Sequence, residues 1–193
     1  LYTDGIETRT FSQHVNGYAI IFQIANESRR ERIGKRLFTD SKLRQTTFYF
    51  AHYLHEAAAV LGQSERIYHD MARWKHMLDL QTSTWWETPE NPRSECHAWS
   101  ATPTYRLMSH VLGVRPAAPG FRQVVIEPHL WDLEWAEGVV PTPHGEITVR
   151  WKRRPEFVLE VTLPEGIQGQ AILPSGARQT LAPGSNIVKD VLP

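Results

Sequence analysis

The hydrophobic pattern of this chain changes period once, at Pro119 and Gly120, and a chain of that kind segregates its helices from its strands. Before that point apolar residues recur at helical spacing. Over residues 8–26 they fall at Phe11, Val15, Tyr18, Phe22 and Ala25, one face of a first helix. A shorter helix is expected over residues 27–37. Phe50, Leu54, Ala57 and Leu61 mark another, closed by Gly62, and Ile67, Met71, Trp74 and Leu78 mark the next, which opens near Ser64. Thr102 and Pro103 suit the N-cap and first position of a last helix with Leu107, Met108, Val111 and Leu112 as its buried face. Gly113 and Pro116 stop it. A start near Ser94, with Pro103 as a kink, fits the same residues.

After Gly120 the runs are short and β-rich: residues 124–126, 146–151, Phe157–Leu163, 170–173 and an end near 187–191. Ile147, Val149 and Trp151 alternate with Glu146, Thr148 and Arg150, the mark of a strand with one wet face. Pro155, Pro164 to Gly166, Pro174 to Gly176 and Pro183 to Gly184 supply turns. The expectation is α+β: an all-helical part to about residue 115, then a small antiparallel sandwich.

The 193 residues suffice for one sizeable domain or two small ones, and 41% hydrophobic content can supply a core. Twenty-one basic side chains balance twenty-one acidic ones, so no net field draws in nucleic acid or anionic lipid. A neutral substrate fits better. Apolar clusters such as residues 18–22 and 57–61 are too short to span a bilayer, and no basic-then-apolar signal opens the chain. A single cysteine excludes an internal disulfide, which slightly favours the cytoplasm without requiring it. The chain begins at Leu1 rather than at a methionine, as a fragment or processed product would.

Chemistry concentrates in residues 83–99, which hold three of the seven tryptophans, three carboxylates and the only cysteine. An indole face covers the apolar side of a pyranose, while a carboxylate and an imidazole bind hydroxyls or move protons. Glu87 follows Trp85 and Trp86 and precedes a Pro-containing loop. Partial desolvation among indoles would raise its pKa and improve it as a base, although an ordinary loop glutamate has the same local pattern. His97, beside Trp99, can bind a hydroxyl or orient Glu87, or merely pack near a helix start. Glu90 and Glu95 read as solvated. Cys96 reads as a small apolar group rather than a nucleophile. His52, His55 and Glu56 lack the HExxH order of a zinc helix, and helix-surface or core histidines are the simpler reading. No metal or cofactor is called for. Thr46 to Phe50 line either a cavity mouth or the core, and Trp131, Trp135 and Trp151 either bind carbohydrate or fill a small sandwich.

Ser83, Thr84, Trp85, Trp86 and Glu87 resemble the Thr-Thr-x-Trp-Glu element of the bacterial α-L-rhamnosidases, and His97 to Ala101 resemble the histidine element that follows it. Val111 to Pro116 with Pro119, Gly120 and Phe121 resemble that family's exit from its last helix. Trp135 to Gly138 and Pro143 to Ile147 resemble its first sandwich hairpin. The resemblance implies an inverting glycoside hydrolase: residues 1–118 as the late helices of an (α/α)₆ catalytic barrel, residues 119–193 as a C-terminal β-sandwich. It implies Glu87 as general base, Trp85, Trp86 and Trp99 as pocket wall, His97 on a ring hydroxyl, and a terminal α-L-rhamnoside as substrate. About five helices stand against a barrel's twelve, and the family's general acid, from the first half of the barrel, has no counterpart here. The missing N-terminal half is therefore an implied partner. The loop between Glu87 and His97 is shorter than in many members. Two other readings stay open: another six-hairpin glycosidase, α-L-fucosidase-like or unsaturated glycuronyl hydrolase-like, and a non-catalytic carbohydrate-binding or structural remnant.

Overall fold

Polar side chains start the first two helices of the computed structural model, which describes residues 1–192. Ser12 accepts from the Val15 N–H at the head of α1 (Gln13–Ile21), and Asn26 accepts from the Arg29 N–H at the head of α2 (Glu27–Arg36). Glu27 in the first turn of α2 and Lys35 and Arg36 in its last turn complement the helix dipole. Then come α3 (Ala51–Val60), α4 (Ser64–Met71), a 3₁₀ turn at Ala72–Trp74 and α5 (Lys75–Asp79). These elements lie in one compact unit, Leu1–Pro103, and a second unit begins at Thr104.

One cluster of the first unit joins Ala19 and Ile20 of α1, Ile33 of α2, Leu37, and Leu54 and Ala57 of α3. The stripe expected on α1 is displaced. Its buried residues are Gln13, Asn16, Gly17, Ala19 and Ile20, whereas Phe11 and Phe22 lie at the surface. The cause is hydrogen bonding. Gln13 donates to the Leu37 carbonyl at 2.9 Å and accepts from the Thr46 N–H at 2.8 Å, and Asn16 pairs with both the N–H and the carbonyl of Tyr2. Main-chain groups bound this way satisfy the buried amides, so polar positions win the inner face. A register change also separates α4 from α5. The 3₁₀ turn completes in three residues rather than 3.6, and Met77 turns inward in place of the expected Leu78, which stays exposed.

His55, fully buried on α3, settles which of its two readings holds. Its Nε2 lies 2.8 Å from Asp70 Oδ2, and since an ionised carboxylate only accepts, that nitrogen carries the proton. Arg73 donates to the same oxygen at 2.6 Å and to the Thr46 carbonyl at 2.8 Å, tying α3, α4 and the segment that leads into α3 together. Burial pushes the Asp70 pKa up, but the His55 hydrogen bond and the Arg73 charge outweigh it and hold the carboxyl below its ordinary value.

In the second unit, α6 (Thr102–Arg106), whose first turn lies in the first unit, widens into a π turn at Leu107–Val111. The extra residue in that turn rotates Leu107 to the surface and leaves Ser109, His110 and Val111 buried, so the expected apolar face is only partly used. Eight strands follow: β1 (Val114–Pro116), β2 (Gln123–Ile126), β3 (Trp135–Thr142), β4 (Gly145–Lys152), β5 (Phe157–Leu163), β6 (Gln168–Ile172), β7 (Arg178–Leu181) and β8 (Gly184–Asp190). They form two sheets, ordered β1-β2-β6-β7 and β3-β4-β5-β8. The pairings are antiparallel except β2 with β6, which is parallel because the chain makes β3, β4 and β5 in the other sheet before returning beside β2.

Both sheets feed one buried cluster, with Ile126, Ala171 and Leu181 from the first and Ile147, Val149, Trp151 and Val188 from the second. Trp151 also donates its indole N–H to the Val111 carbonyl at 2.8 Å, joining β4 to the end of the helix. Gly113 makes the turn into β1 at φ +80, where an added Cβ would meet the Glu127 carbonyl carbon at 2.2 Å. Only glycine fits there.

Asp70→Asn removes a carboxylate that two cations or donors share, and should cost about 2 kcal/mol at pH 7. Because the folded pKa is depressed, that contribution is complete above the unfolded value near pH 4 and vanishes as pH falls through the folded one. Urea titrations should show the gap between wild type and Asp70→Asn closing in acid. A gap that does not narrow at all as pH falls below about 4, or none at pH 7, contradicts the network.

Candidate functional site

The segment rich in tryptophan is held at both ends by one small cluster in the first unit. Phe48, Ala51, Trp74 and Met77 are buried together, with the Phe48 and Trp74 rings 4.6 Å apart. Phe48 belongs to a stretch whose residues alternate inward and outward, so that Thr46, Phe48 and Phe50 are buried while Thr47 and Tyr49 face out. The core reading thus holds for Thr46, Phe48 and Phe50, while Thr47 and Tyr49 are exposed. At the near end of the loop, half-buried Trp85 and Trp86 pack on the cluster, and the Trp86 N–H points at Met77 Sδ from 3.4 Å. At the far end, Trp74 Nε1 donates to the Ser100 carbonyl at 2.9 Å.

Between these ends the chain doubles back. The His97 N–H donates to the Trp85 carbonyl at 2.6 Å, the Glu87 N–H to the Ser94 carbonyl at 3.0 Å, and the Thr84 hydroxyl to the Glu95 carbonyl. His97 thereby sits against Trp85, twelve residues before it, and Glu87 lies two residues along the same arm on the neighbouring rung. The tip turns through Asn91 at φ +44, a conformation that asparagine tolerates better than most residues. There the Thr88 hydroxyl donates to the Glu90 carbonyl.

Glu87 is mostly covered, with 21% of its side chain exposed, and its Oε1 accepts from Arg93 at 2.7 Å. Sequence reasoning missed Arg93. An arginine six residues on in a loop is unremarkable until the chain folds back. Trp99 is 54% exposed and stands edge-on to Tyr49, centroids 4.6 Å apart and planes at 86°. His97 is half-buried, and Cys96 is a free, exposed thiol. Chemically the loop offers a charged carboxylate with a movable guanidinium partner, an imidazole on the adjoining rung and several indole faces. Among the described residues, no group of three His, Cys, Asp or Glu side chains is arranged to hold a metal ion. No helix there is long and apolar enough to cross a membrane.

Comparison with known proteins gives this arrangement a setting. Residues 113–187 match the model of the bacterial α-L-rhamnosidase C-terminal domain. An α-L-rhamnosidase of Alteromonas sp. strain LOR is 28% identical over 154 residues, which cover 70% of this chain and 17% of that protein. The solved GH78 family rhamnosidase of Bacillus sp. GL1 is 32% identical with a TM-score of 0.75, over 87% of this chain and 20% of that one. The native α-L-rhamnosidase of Aspergillus terreus shares the fold at a TM-score of 0.82 and 20% identity, over 92% of this chain and 24% of that one. All of these likenesses are to rhamnosidases, a class of glycoside hydrolase. The chain is related to the α-L-rhamnosidases and corresponds to their C-terminal portion, spanning about a fifth of the length of these relatives.

Trp74→Phe keeps the ring in its cluster and removes the N–H that reaches the Ser100 carbonyl. Leaving that buried acceptor unpaired should cost about 1–3 kcal/mol. The midpoint of urea unfolding of the helical unit should fall accordingly, and an unchanged midpoint contradicts the anchoring role.

Proposed function

We propose that this chain is the C-terminal part of an α-L-rhamnosidase-like glycoside hydrolase that removes terminal α-L-rhamnosyl groups with inversion. The observation that carries the reading is the folded-back loop, whose main-chain pairs of His97 with Trp85 and Glu87 with Ser94 sit beside two indoles that rest on the cluster of Phe48, Trp74 and Met77. Sugar hydrolysis wants that combination: a carboxylate to take a proton, polar groups for hydroxyls, and flat apolar faces for the C–H side of the ring.

In this reading Glu87 is the general base. It deprotonates the water that attacks the anomeric carbon from the face opposite the leaving group, while a general acid roughly 6.5–9.5 Å away protonates the departing oxygen. The acid comes from the preceding part of a longer polypeptide, which also completes the (α/α)₆ barrel whose late helices lie in residues 1–118. Residues 119–193 form the β-sandwich that follows the barrel. Trp85, Trp86 and Trp99 wall the pocket and His97 binds a ring hydroxyl. Arg93 neutralises Glu87 in the absence of substrate and, being 87% exposed, swings away at little cost when the attacking water needs the carboxylate. The partner is a neutral rhamnoside, consistent with a chain of zero net charge.

In the longer protein, Glu87→Gln should lower kcat on a nitrophenyl α-L-rhamnoside by about 10²- to 10⁴-fold. Affinity for L-rhamnose, measured by calorimetry, should stay within a few-fold of wild type, because the amide retains the shape of the carboxylate. Near-normal turnover contradicts the assignment of the base.

A further inference from the structure

The second unit carries an exposed tryptophan for which neither the core nor the reaction has a use. Trp135, at the start of β3, is 62% exposed, while Ala136 and Val140 of the same strand point the other way, toward the core. The β3–β4–β5 pairing puts three rows on its outer face: Trp135 with Lys152, then Glu137 with Arg150 and Glu160, then Val139 with Thr148 and Thr162. Two adjoining depressions of about 410 and 450 Å³ lie along these rows and share Glu137 and Arg150. From Trp135 to Val139 the face runs about 14 Å along the strand, room for more than one pyranose ring.

Charge decides what kind of ligand suits it. Glu134, Glu137 and Glu160 balance Arg150, Lys152 and Arg154 across the two depressions, so the face has no net field for an anion or a cation. Its ion pairs are long and exposed: Arg150 Nε lies 3.6 Å from Glu137 Oε2, and Arg154 Nε lies 3.5 Å from Glu134 Oε2. Such pairs contribute little to stability and are free to exchange partners. Carboxylates and guanidinium groups spaced along a strand accept from and donate to hydroxyls, and an indole left in water offers an apolar platform beside them.

We propose that the outer face of the β3–β4–β5 sheet is a binding site for neutral oligosaccharide, with Trp135 as the stacking platform and the Glu137, Arg150 and Glu160 row as the hydroxyl-binding groups. The site belongs to a different unit from Glu87 and holds a glycan without acting on it. It does not depend on the chain being a rhamnosidase, only on the chemistry of this face.

The test is affinity electrophoresis of the longer protein in native gels containing neutral polysaccharides that lack rhamnose: mixed-linkage β-glucan, galactomannan and arabinan. Such polymers keep the Glu87 loop out of the readout. Retardation by at least one of them, weakened about tenfold or more in Trp135→Ala, supports the site. Turnover of a nitrophenyl α-L-rhamnoside, if the protein has it, should be unchanged in that variant. Arg150→Ala leaves the apolar contacts intact and gives the same test should Trp135→Ala fail to fold. No retardation by any polymer, retardation undiminished in a folded variant, or a loss of binding that tracks a loss of turnover overturns the proposal.

Discussion

The Trp74 indole is the contact on which the proposed site depends. Its ring completes a cluster with Phe48, Ala51 and Met77, and its N–H reaches the Ser100 carbonyl. One side chain thus supports the loop from beneath and fixes where it ends. Between Trp86, which rests on Met77, and Ser100, the chain has little choice but to fold back, and the hydrogen bonds from His97 to Trp85 and from Glu87 to Ser94 take up the main-chain groups that this return leaves unpaired. Loops carry chemistry best when a rigid element holds their ends, and here the rigid element is a buried aromatic with one polar handle.

The second unit uses the same device. Trp151 lies at the centre of the cluster shared by both sheets, and its N–H goes to the Val111 carbonyl at the end of the helix. Gly113 then lets the chain pass against Glu127 and enter β1 without a side chain in the way. Position on the strand separates the fates of two tryptophans. Trp151 occupies an inward register position of β4, whereas Trp135 occupies an outward one of β3, and the latter stays exposed outside the core.

Much of this was legible because hydrophobic burial writes a period into the chain. The alternation of Ile147, Val149 and Trp151 placed β4, and Leu54 and Ala57 placed the inner face of α3, which His55 shares. On α1, Gln13 and Asn16 did compete, and their bonds to main-chain groups far away in sequence could not be read from local spacing. Backbone irregularity hid more: the 3₁₀ turn before α5 and the π turn after α6 each shift the helical phase, so Leu78 and Leu107 are outside. Short β1 and polar β7 sit at sheet edges, where a proline or an Arg-Gln-Thr run is tolerated, and carry little pattern of their own. In the loop, composition pointed to Glu87, His97 and the tryptophans together, while the pairing of Glu87 with Arg93 exists only once the loop has closed.

The proposed role of Glu87, activating the nucleophile on the face opposite the leaving group, is open to a chemical-rescue experiment. Glu87→Ala in the longer protein leaves space for azide, a nucleophile that needs no base. Added azide should then speed cleavage of an activated α-L-rhamnoside by about tenfold or more and form β-L-rhamnosyl azide, visible by NMR, while leaving wild type unaffected. Absence of rescue, or an α-configured azide, would contradict the claim.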